Sequence, residues 1–492
     1  MVLISHSYQR VTGVSRVAII GAGFSGITSA SHLVKEGLDV TVFERTGVIG
    51  GAWVYDPRIE PDPPYPNLIP PPPSWTDVEK PGLSYDEVAL LHGPPTPCYA
   101  GLRNNVPTTL MRSCLLRWPE GTGEFICQSG IAQYVHDIAT IQNISKKIQF
   151  HTRVESVSKP AGSSTWKVTT SRLEAEGQTP LITRQHWEFD AVVVASGHYH
   201  IPFVPDVDGL ALWKSLFPNR VMHSKRYRNA HIYTDKTVLL IGAGASSFDI
   251  AKEVLQVGGK VYQSVRESKY DITASRLPKE VMRVAMTAKF LVNSQDMTDS
   301  GDLAVERPIP GKVVLQDGAV LEGMDYVVIC TGYITSYPFL GDLEQPSVAW
   351  ENAGDKTIIT SDGYTTHNLH KDIFYIPDPT LAFIGVSALV STFSLFDFQA
   401  KVMAKVLTGQ VQLPHRSMMR QEHKQRKSKH QAGDRFHAIL LGEAEYIDEL
   451  LTWVNRELVQ AGLRPITGMD ADWLETYENH KRLRKIVPAP RK

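Results

Sequence analysis

Three glycines and a glutamate near the start of the chain have the residue types and spacing to bind an anionic nucleotide. Gly21, Gly23 and Gly26 fill a GxGxxG pattern, and Glu44 follows 18 residues after the third glycine. The first glycine allows a tight turn, the second lets the backbone approach a pyrophosphate, and the third lets a helix pack closely on a strand. Free N–H groups at the helix N-terminus favour an anion, and Glu44 can accept hydrogen bonds from ribose hydroxyls. The pattern therefore predicts a dinucleotide site formed by Gly21, Ala22, Gly23, Phe24, Ser25, Gly26 and Glu44.

The same plan recurs over residues 237–266, where Gly242 and Gly244 hold the first two glycine positions and Ser247 holds the third. A serine at the third position loosens helix packing slightly but adds a hydroxyl donor, so the segment still predicts a nucleotide site. The predicted contacts of this second turn are Gly242, Ala243, Gly244, Ala245, Ser246 and Ser247.

The second unit lacks the acid of the first. The position 18 residues beyond Ser247 is Val265, which lies between Ser264 and Arg266. A carboxylate would repel a ribose 2′-phosphate, whereas an arginine pairs with it. We therefore predict that this site prefers NADP over NAD, with Ser264 and Arg266 as contacts and Lys269 in support. The alternative is that Arg266 is one of the solvated surface arginines.

Apolar runs place both turns at the ends of buried strands. Residues 17–20 and 40–43 flank the first helix-length segment, and the octapeptides DAVVVASG (190–197) and DYVVICTG (325–332) match position for position. This repeat indicates two further buried strands that end in equivalent tight turns. Other segments predict a proline-rich surface strap over 57–73, two strands of a β-meander within 148–172, and helices over 131–141, 391–407 and 447–458.

The composition limits the partners of the protein. The chain has 492 residues, enough for two or more domains, and its 51 basic and 52 acidic residues leave a net charge of −1. This balance gives no bulk attraction to nucleic acid or to an anionic membrane. The four cysteines are too far apart for a CxxC motif, and no run of ~18 apolar residues or signal peptide is present. We expect a cytoplasmic protein with no transmembrane anchor and no metal site.

A segment between the two glycine turns, FPNRVMHSKRY (217–227), resembles the FxGxxxHxxxY/F fingerprint of the flavin-containing monooxygenases. Phe217, His223 and Tyr227 fill the fingerprint, while Asn219 replaces a glycine that allows positive φ. Baeyer–Villiger relatives carry tryptophan where Tyr227 stands, so the resemblance favours the branch that oxidises heteroatoms. Further family motifs follow in order along nearly the whole chain: GAGFSG, GGAW, LRNNVP, ASGHYHIPFVP, GAGASSFD, CTGY and DPTLAFIG.

The resemblance implies an α/β fold with two Rossmann-like dinucleotide-binding domains, a small β-meander and a helical C-terminal tail. Residues 1–205 and 331–492 would form an FAD-binding domain, and residues 206–330 an NADP-binding domain inserted in it. The implied cofactors are FAD and NADPH, and the implied partners are O2 and a small-molecule substrate. Whether the protein forms a homodimer stays open.

The implied reaction needs neither a catalytic triad nor a metal. NADPH reduces the flavin, oxygen forms a hydroperoxide at the 4a carbon of the ring, and a soft nucleophile takes the distal oxygen, while the protein excludes water. Asn105 matches the asparagine of the family loop beside the flavin, and its amide can donate to the peroxide. Asn104 stands where the family usually has threonine. Gly51 and Trp53 would lie against the cofactor, and the backbone near Val154 would bind the flavin adenine.

Other functions stay open on the sequence alone. A pyridine nucleotide–disulfide reductase shares the two-site plan, but the cysteine spacing argues against it. A Baeyer–Villiger enzyme would insert oxygen into a ketone, and a non-catalytic NADP(H) redox sensor could keep the fold. The first prediction is oxygen transfer to nitrogen or sulfur of a small organic molecule, with specialised metabolism as one setting; the residues do not define the substrate.

Overall fold

The computed structural model describes residues 8–70, 78–176, 179–266, 268, 270–292 and 307–485. Part of the proline-rich strap and Lys269 lie outside these ranges. Among the described residues, no helix combines the length and apolarity that crossing a bilayer requires.

A seven-stranded sheet is built from segments that are far apart in the sequence. Its spatial order is β18, β19, β20, β7, β1, β2, β3. Strands from the start of the chain therefore share a sheet with strands from beyond residue 331. The bounds are β1 (Arg16–Ile20), β2 (Asp39–Phe43), β3 (Ile148–Gln149), β7 (Ala191–Val194), β18 (Leu369–His370), β19 (Phe374–Tyr375) and β20 (Leu381–Phe383).

A second, five-stranded sheet is formed by the intervening chain. Its strands pair in parallel in the order β12, β11, β10, β16, β9. The bounds are β9 (Val221–His223), β10 (Thr237–Ile241), β11 (Lys260–Ser264), β12 (Met282–Val284) and β16 (Tyr326–Ile329).

The remaining strands form three small sheets. The predicted meander has three antiparallel strands rather than two: β4 (Thr152–Ser158), β5 (Trp166–Glu176) and β6 (Thr179–Phe189). A second antiparallel sheet, which the sequence analysis does not predict, lies between β12 and β16 in the chain. It contains β13 (Thr287–Val292), β14 (Gly311–Leu315) and β15 (Val320–Glu322), and a two-stranded crossing pairs β8 (Ile201–Pro202) with β17 (Tyr333–Ile334).

Nine helices lie in the described residues, and two of them carry the glycine turns. Helix α1 (Phe24–Lys35) follows β1, and α5 (Ala245–Gln256) follows β10. The predicted helices over 131–141, 391–407 and 447–458 are confirmed as parts of α3, α6 and α8. The remaining bounds are α2 (Tyr85–His92), α3 (Gln128–Ile141), α4 (Leu210–Leu216), α6 (Thr392–Leu407), α7 (Arg416–Lys427), α8 (Glu443–Gln460) and α9 (Ala471–Lys485).

The two strand–turn–helix units are equivalent in register. Ile20 pairs with Phe43 at the end of β1 and β2, and Ile241 pairs with Ser264 at the end of β10 and β11. The octapeptide strands β7 and β16 pair in parallel with β1 and β10 respectively. The prediction of an α/β fold with two Rossmann-like units is confirmed.

The core joins α1 to α6 through aromatic stacking. The rings of Phe24 and Phe393 are parallel, with centroids 3.8 Å apart. Both residues are buried in the larger core cluster together with Ile27 and Leu395. Burial of this kind contributes about 1.5–3 kcal/mol per large apolar side chain. The contact therefore links the first glycine turn to a helix from the C-terminal third of the chain.

The two turns differ in how much room they leave for a methyl group, which gives a testable contrast. A Cβ on Gly26 would lie 1.8 Å from the carbonyl oxygen of Gly21, whereas a Cβ on Gly244 would meet no atom within 4 Å. We expect Gly26→Ala to destabilise the protein by about 3 kcal/mol or more, and Gly244→Ala to stay within about 0.5 kcal/mol of wild type. Thermal unfolding of both variants measures this, and equal midpoints would contradict the packing assignment.

Candidate functional site

The carboxyl ends of the parallel strands in both sheets open onto one cleft of about 3100 Å³. Ligands of open α/β sheets bind at such ends. Both glycine turns line the cleft, so residues more than 200 positions apart in sequence face one space. The predicted contacts in its wall are Gly21, Gly23, Phe24, Ser25, Glu44, Gly51, Trp53, Asn105, Val154, Gly242, Ala243, Gly244, Ala245, Ser246, Ser264 and Arg266.

Three predicted contacts lie beneath the wall. Ala22 and Ser247 are fully buried, and Gly26 packs against the carbonyl of Gly21. The Ser247 hydroxyl accepts a hydrogen bond from Gln263 Nε2 at 2.7 Å, so it faces the helix–sheet interface and not the cleft. The buried Ser247 hydroxyl therefore has a hydrogen-bond partner, which explains how the second turn tolerates serine at the third glycine position.

Glu44 holds the first turn in place. One carboxylate oxygen accepts from the Ala22 N–H at 2.8 Å, and the other accepts from the N–H and hydroxyl of Thr46, each at 2.9 Å. Each carboxylate oxygen can accept more than one hydrogen bond. The carboxylate can therefore receive ribose hydroxyls while it fixes the turn.

An aromatic wall and a β-bulge flank this first turn. Trp53 meets Phe393 edge-to-face at a centroid distance of 6.3 Å. The pairing of β4 with β5 shifts register between Val154 and Ser156, and bulges of this type leave backbone groups free of the ladder. Val154 lines the cleft at this irregularity, which fits a backbone contact to a nucleotide base.

The two adjacent asparagines have different surroundings. Asn104 is buried, and its side chain donates to the carbonyls of Val106 and Glu124 at 2.7 Å and accepts from the Ile126 N–H at 2.6 Å. Asn105 is exposed to the cleft. Asn104 therefore fixes the loop from within, and Asn105 of the same loop lines the cleft.

At the tip of β11 the acid of the first unit is missing, and Arg266 follows one residue later. Because Ile241 pairs with Ser264 as Ile20 pairs with Phe43, Val265 is the structural counterpart of Glu44. Arg266 follows it, is exposed and lines the cleft. The Ser264 hydroxyl points inward, where it donates to the carbonyl of Ala285 and accepts from Thr287. Arg266 therefore presents a cation to the cleft, whereas the Ser264 hydroxyl is engaged within the fold.

The fingerprint segment forms a linker. His223 is fully buried, its Nδ1 accepts from the Lys225 N–H, and its Nε2 donates to the carbonyl of Gly332, each at 3.1 Å. Burial, with Lys225 nearby, lowers the pKa of His223 to about 3. Tyr227 is buried and donates to Glu253 of α5. Asn219 is not among the residues with positive φ, so the turn does not need the glycine that the fingerprint suggests.

Sequence reasoning missed a polar cluster at the crossing between the two sheets, in which Lys225 is buried and the other side chains are half-buried. Arg45 Nη2 donates to His200 Nδ1 at 2.9 Å, and His200 Nε2 donates to the carbonyl of Ser196 at 2.5 Å. Lys225 pairs with Glu60 of the proline-rich strap at 2.6 Å and is almost fully buried. Burial and Arg45 hold the pKa of His200 well below its ordinary value. No local pattern in the sequence marks these residues, because they come from four separate segments.

A family model described as flavin-binding monooxygenase-like matches residues 96–309 and 304–460, and a model of an NAD(P)-binding Rossmann-like domain matches residues 19–65. The matches cover most of the chain. The protein belongs to the flavin-containing monooxygenase family, an oxidoreductase family that uses FAD and NADPH.

Individual relatives agree with this assignment. The chain is 37% identical to flavin-containing monooxygenase ustF2 of Aspergillus flavus, over 94% of this chain and 96% of the relative. It is 27% identical to senecionine N-oxygenase of Tyria jacobaeae, over 85% and 76% of the two chains. The solved structure of S-allyl-L-cysteine S-oxygenase from Allium sativum superposes with a TM-score of 0.69 at 24% identity, covering 96% of this chain and 94% of that one.

The buried neutral His223 predicts a pH dependence of stability. The folded pKa lies below the unfolded value of about 6.5, so the unfolded state binds more protons between these values. The contribution of the neutral His223 imidazole to the free energy of unfolding is complete above pH 6.5. It is lost as the pH falls toward 3, by at most about 1.4 kcal/mol per pH unit. We expect His223→Gln, which can keep both hydrogen bonds, to lose less stability between pH 7 and 5 than wild type. Identical slopes in thermal unfolding would contradict this.

Arg266 predicts the nucleotide preference. We expect Arg266→Ala to raise the KM for NADPH at least tenfold and to change the KM for NADH little, because only NADPH carries the 2′-phosphate. Lys260→Ala, which removes a cation from the opposite end of β11, is the control and should leave both values unchanged. Steady-state kinetics with the two nucleotides measures this, and an equal rise for both would remove the assignment.

Proposed function

We propose that the protein is an FAD-dependent, NADPH-using monooxygenase that transfers one oxygen atom to a soft nitrogen or sulfur nucleophile of a small organic molecule, with specialised metabolism as one setting. The observation that carries the proposal is the single cleft onto which the acid-tipped turn, the arginine-tipped turn and the Asn105 amide all open. Such a cleft can hold two nucleotides with their redox rings adjacent.

In this proposal, residues 1–205 and 331–492 bind FAD, and residues 206–330 bind NADPH. Sheet composition supports the division, since β18, β19 and β20 join the sheet of β1, while β9 to β12 and β16 form the other sheet. A cytoplasmic location stays a prediction from the sequence, and whether the protein forms a homodimer stays open.

The residues at the first turn fit FAD. The N-terminus of α1 faces the cleft with N–H groups that lack helical acceptors, and these suit a pyrophosphate. Gly51 packs directly on Gly23, where a Cβ would come within 2.8 Å of the Gly23 Cα. Side chains are therefore excluded along the path of the phosphates, and Glu44 and Val154 remain for the ribose and the adenine.

Protein side chains provide hydrogen bonding, exclusion of water and nucleotide binding. Bound reduced flavin supplies electrons to O2 and makes one oxygen atom electrophilic. Asn105 donates hydrogen bonds beside the reacting oxygen, and the neutral amide does so without transferring its own protons, because it is a very weak acid. Trp53, Phe24 and Phe393 form an apolar wall that keeps water from the site. Arg266 binds the NADPH 2′-phosphate, so that the nicotinamide stays close to the flavin.

The preference for nitrogen or sulfur over a ketone rests on two supports. Tyr227 stands where Baeyer–Villiger enzymes carry tryptophan, and a relative of this chain is named for N-oxygenation. The test is NADPH oxidation coupled to product formation with amines, oximes, sulfides and cyclic ketones on one preparation. Lactone as the main product would support the Baeyer–Villiger alternative, and a flavin-free protein that binds NADP(H) without turnover would support the redox sensor.

Asn105 predicts the coupling of the reaction. We expect Asn105→Ala to keep its flavin and to release at least tenfold more hydrogen peroxide per NADPH oxidised, because the reacting oxygen loses its donor. Asn104→Ala is the matched comparison. It removes three hydrogen bonds that hold the loop, so it should lower thermal stability and flavin content together. Unchanged peroxide release in Asn105→Ala would exclude the proposed role.

A further inference from the structure

A group of three side chains with metal-binding chemistry lies outside the lining of the cleft. His32 is on α1, Asp397 is on α6, and Cys114 lies in the segment that follows the Asn105 loop. Their ligand atoms all lie within 4.8 Å of one another. The oxygenation reaction uses none of them.

The group is held from several directions. His32 Nε2 and Asp397 Oδ1 are 2.7 Å apart, and Asp397 Oδ2 accepts from the Cys114 backbone N–H at 2.7 Å. His32 is 5% exposed and Asp397 is 3% exposed. Cys114 is solvent-exposed and is not in a disulfide. The two buried side chains are therefore fixed, and the third opens the group to solutes.

The spacing of the three ligand atoms is close to that of a tetrahedral site. Zinc binds imidazole nitrogen and carboxylate oxygen at about 2.0–2.2 Å and thiolate sulfur at about 2.3 Å. In a tetrahedron these lengths separate neighbouring ligand atoms by roughly 3.3–3.7 Å. The His32–Asp397 separation of 2.7 Å would have to widen by about 0.6 Å, and a separation at the 4.8 Å bound would have to shorten by about 1.1 Å or more. A rotamer change of exposed Cys114 can move the sulfur, and small shifts of the His32 and Asp397 side chains admit the ion.

The charges also match a divalent cation. A thiolate and a carboxylate together carry two negative charges, and a neutral imidazole adds a nitrogen ligand. A sulfur, nitrogen and oxygen set of this kind favours zinc over magnesium or calcium, which prefer oxygen alone. Three protein ligands leave one position for water, which Cys114 exposes to solvent.

We propose that His32, Cys114 and Asp397 form a binding site for a zinc-like divalent cation that is separate from the oxygenation site. The ion takes the place of the proton between His32 Nε2 and Asp397 Oδ1, which moves to Nδ1 of the neutral imidazole, and it displaces the thiol proton of Cys114 to solvent.

The site ties together three elements that support the flavin half of the cleft. Helix α1 begins at the first glycine turn, and α6 carries Phe393 of the apolar wall. The Ser394 hydroxyl on α6 contacts the carbonyls of Leu110 and Arg112 at 2.8 and 2.9 Å, next to the Cys114 segment. A bound ion therefore cross-links the base of the flavin site and stabilises the folded protein.

Cobalt(II) is the probe, since it replaces zinc and gives an absorption signal for tetrahedral thiolate ligation. We expect chelator-treated wild-type holoenzyme to bind one equivalent of Co²⁺, with d–d absorption at longer wavelengths than oxidised flavin and a thiolate charge-transfer band. Zn²⁺ should abolish both signals. Cys114→Ser should lose the charge-transfer band and bind the ion at least about tenfold more weakly. Cys127→Ser removes the other exposed cysteine and should behave as wild type.

Thermal unfolding gives a second readout that does not depend on spectra. Zn²⁺ should raise the unfolding midpoint of wild type and Cys127→Ser but not of Cys114→Ser. Because Cys114 is exposed, the serine variant should keep the wild-type midpoint without metal, which separates ligand loss from misfolding. The proposal is overturned if wild type shows no thiolate-ligated cobalt, if Cys114→Ser keeps the band, or if Cys127→Ser loses it.

Discussion

The structure depends on a close contact between backbone atoms that occurs once in each half of the molecule. At the end of β1, a Cβ on Gly21 would lie 2.7 Å from the carbonyl oxygen of Ala195, and at the end of β10 a Cβ on Gly242 would lie 2.5 Å from that of Cys330. Each carbonyl ends one of the two octapeptide strands. The chain can turn into the helix at this point only without a side chain, and the turn aims the helix N-terminus at the cleft.

The two halves are joined by apolar as well as polar contacts. Tyr99 packs edge-to-face on Tyr227 in the apolar cluster of the second unit and donates to Asp249 of α5, and His223 of β9 donates to the carbonyl of Gly332. Contacts of this kind between domains permit small relative movements. In the proposed reaction, NADPH first reduces the flavin and then stays bound. The nicotinamide must therefore be able to adjust its position without opening the cleft to water.

The buried charges around the crossing serve the geometry of the site more than the stability of the fold. Lys225 pairs with Glu60, and Arg45 bonds to His200. Desolvation offsets most of the attraction in a buried pair, so such pairs contribute little net stability. Their hydrogen bonds are directional, however, and they hold the strap, the crossing and the linker in one arrangement. The strap therefore belongs to the site, although the sequence predicts only an extended connector.

Local sequence determined much of this protein. The α/β class and both nucleotide sites are predicted by the glycine turns, by Glu44 and by the two octapeptides. The absence of an acid before Arg266 predicts the register of β11. These predictions succeed because strand period and turn sterics act over a few residues. Tertiary structure alone decided that Ser247 faces Gln263, that Asn104 fixes the loop while Asn105 faces the cleft, and that His32, Cys114 and Asp397 meet. These outcomes depend on contacts between distant segments, and neither residue type nor local spacing encodes which side chain turns inward when such segments pack.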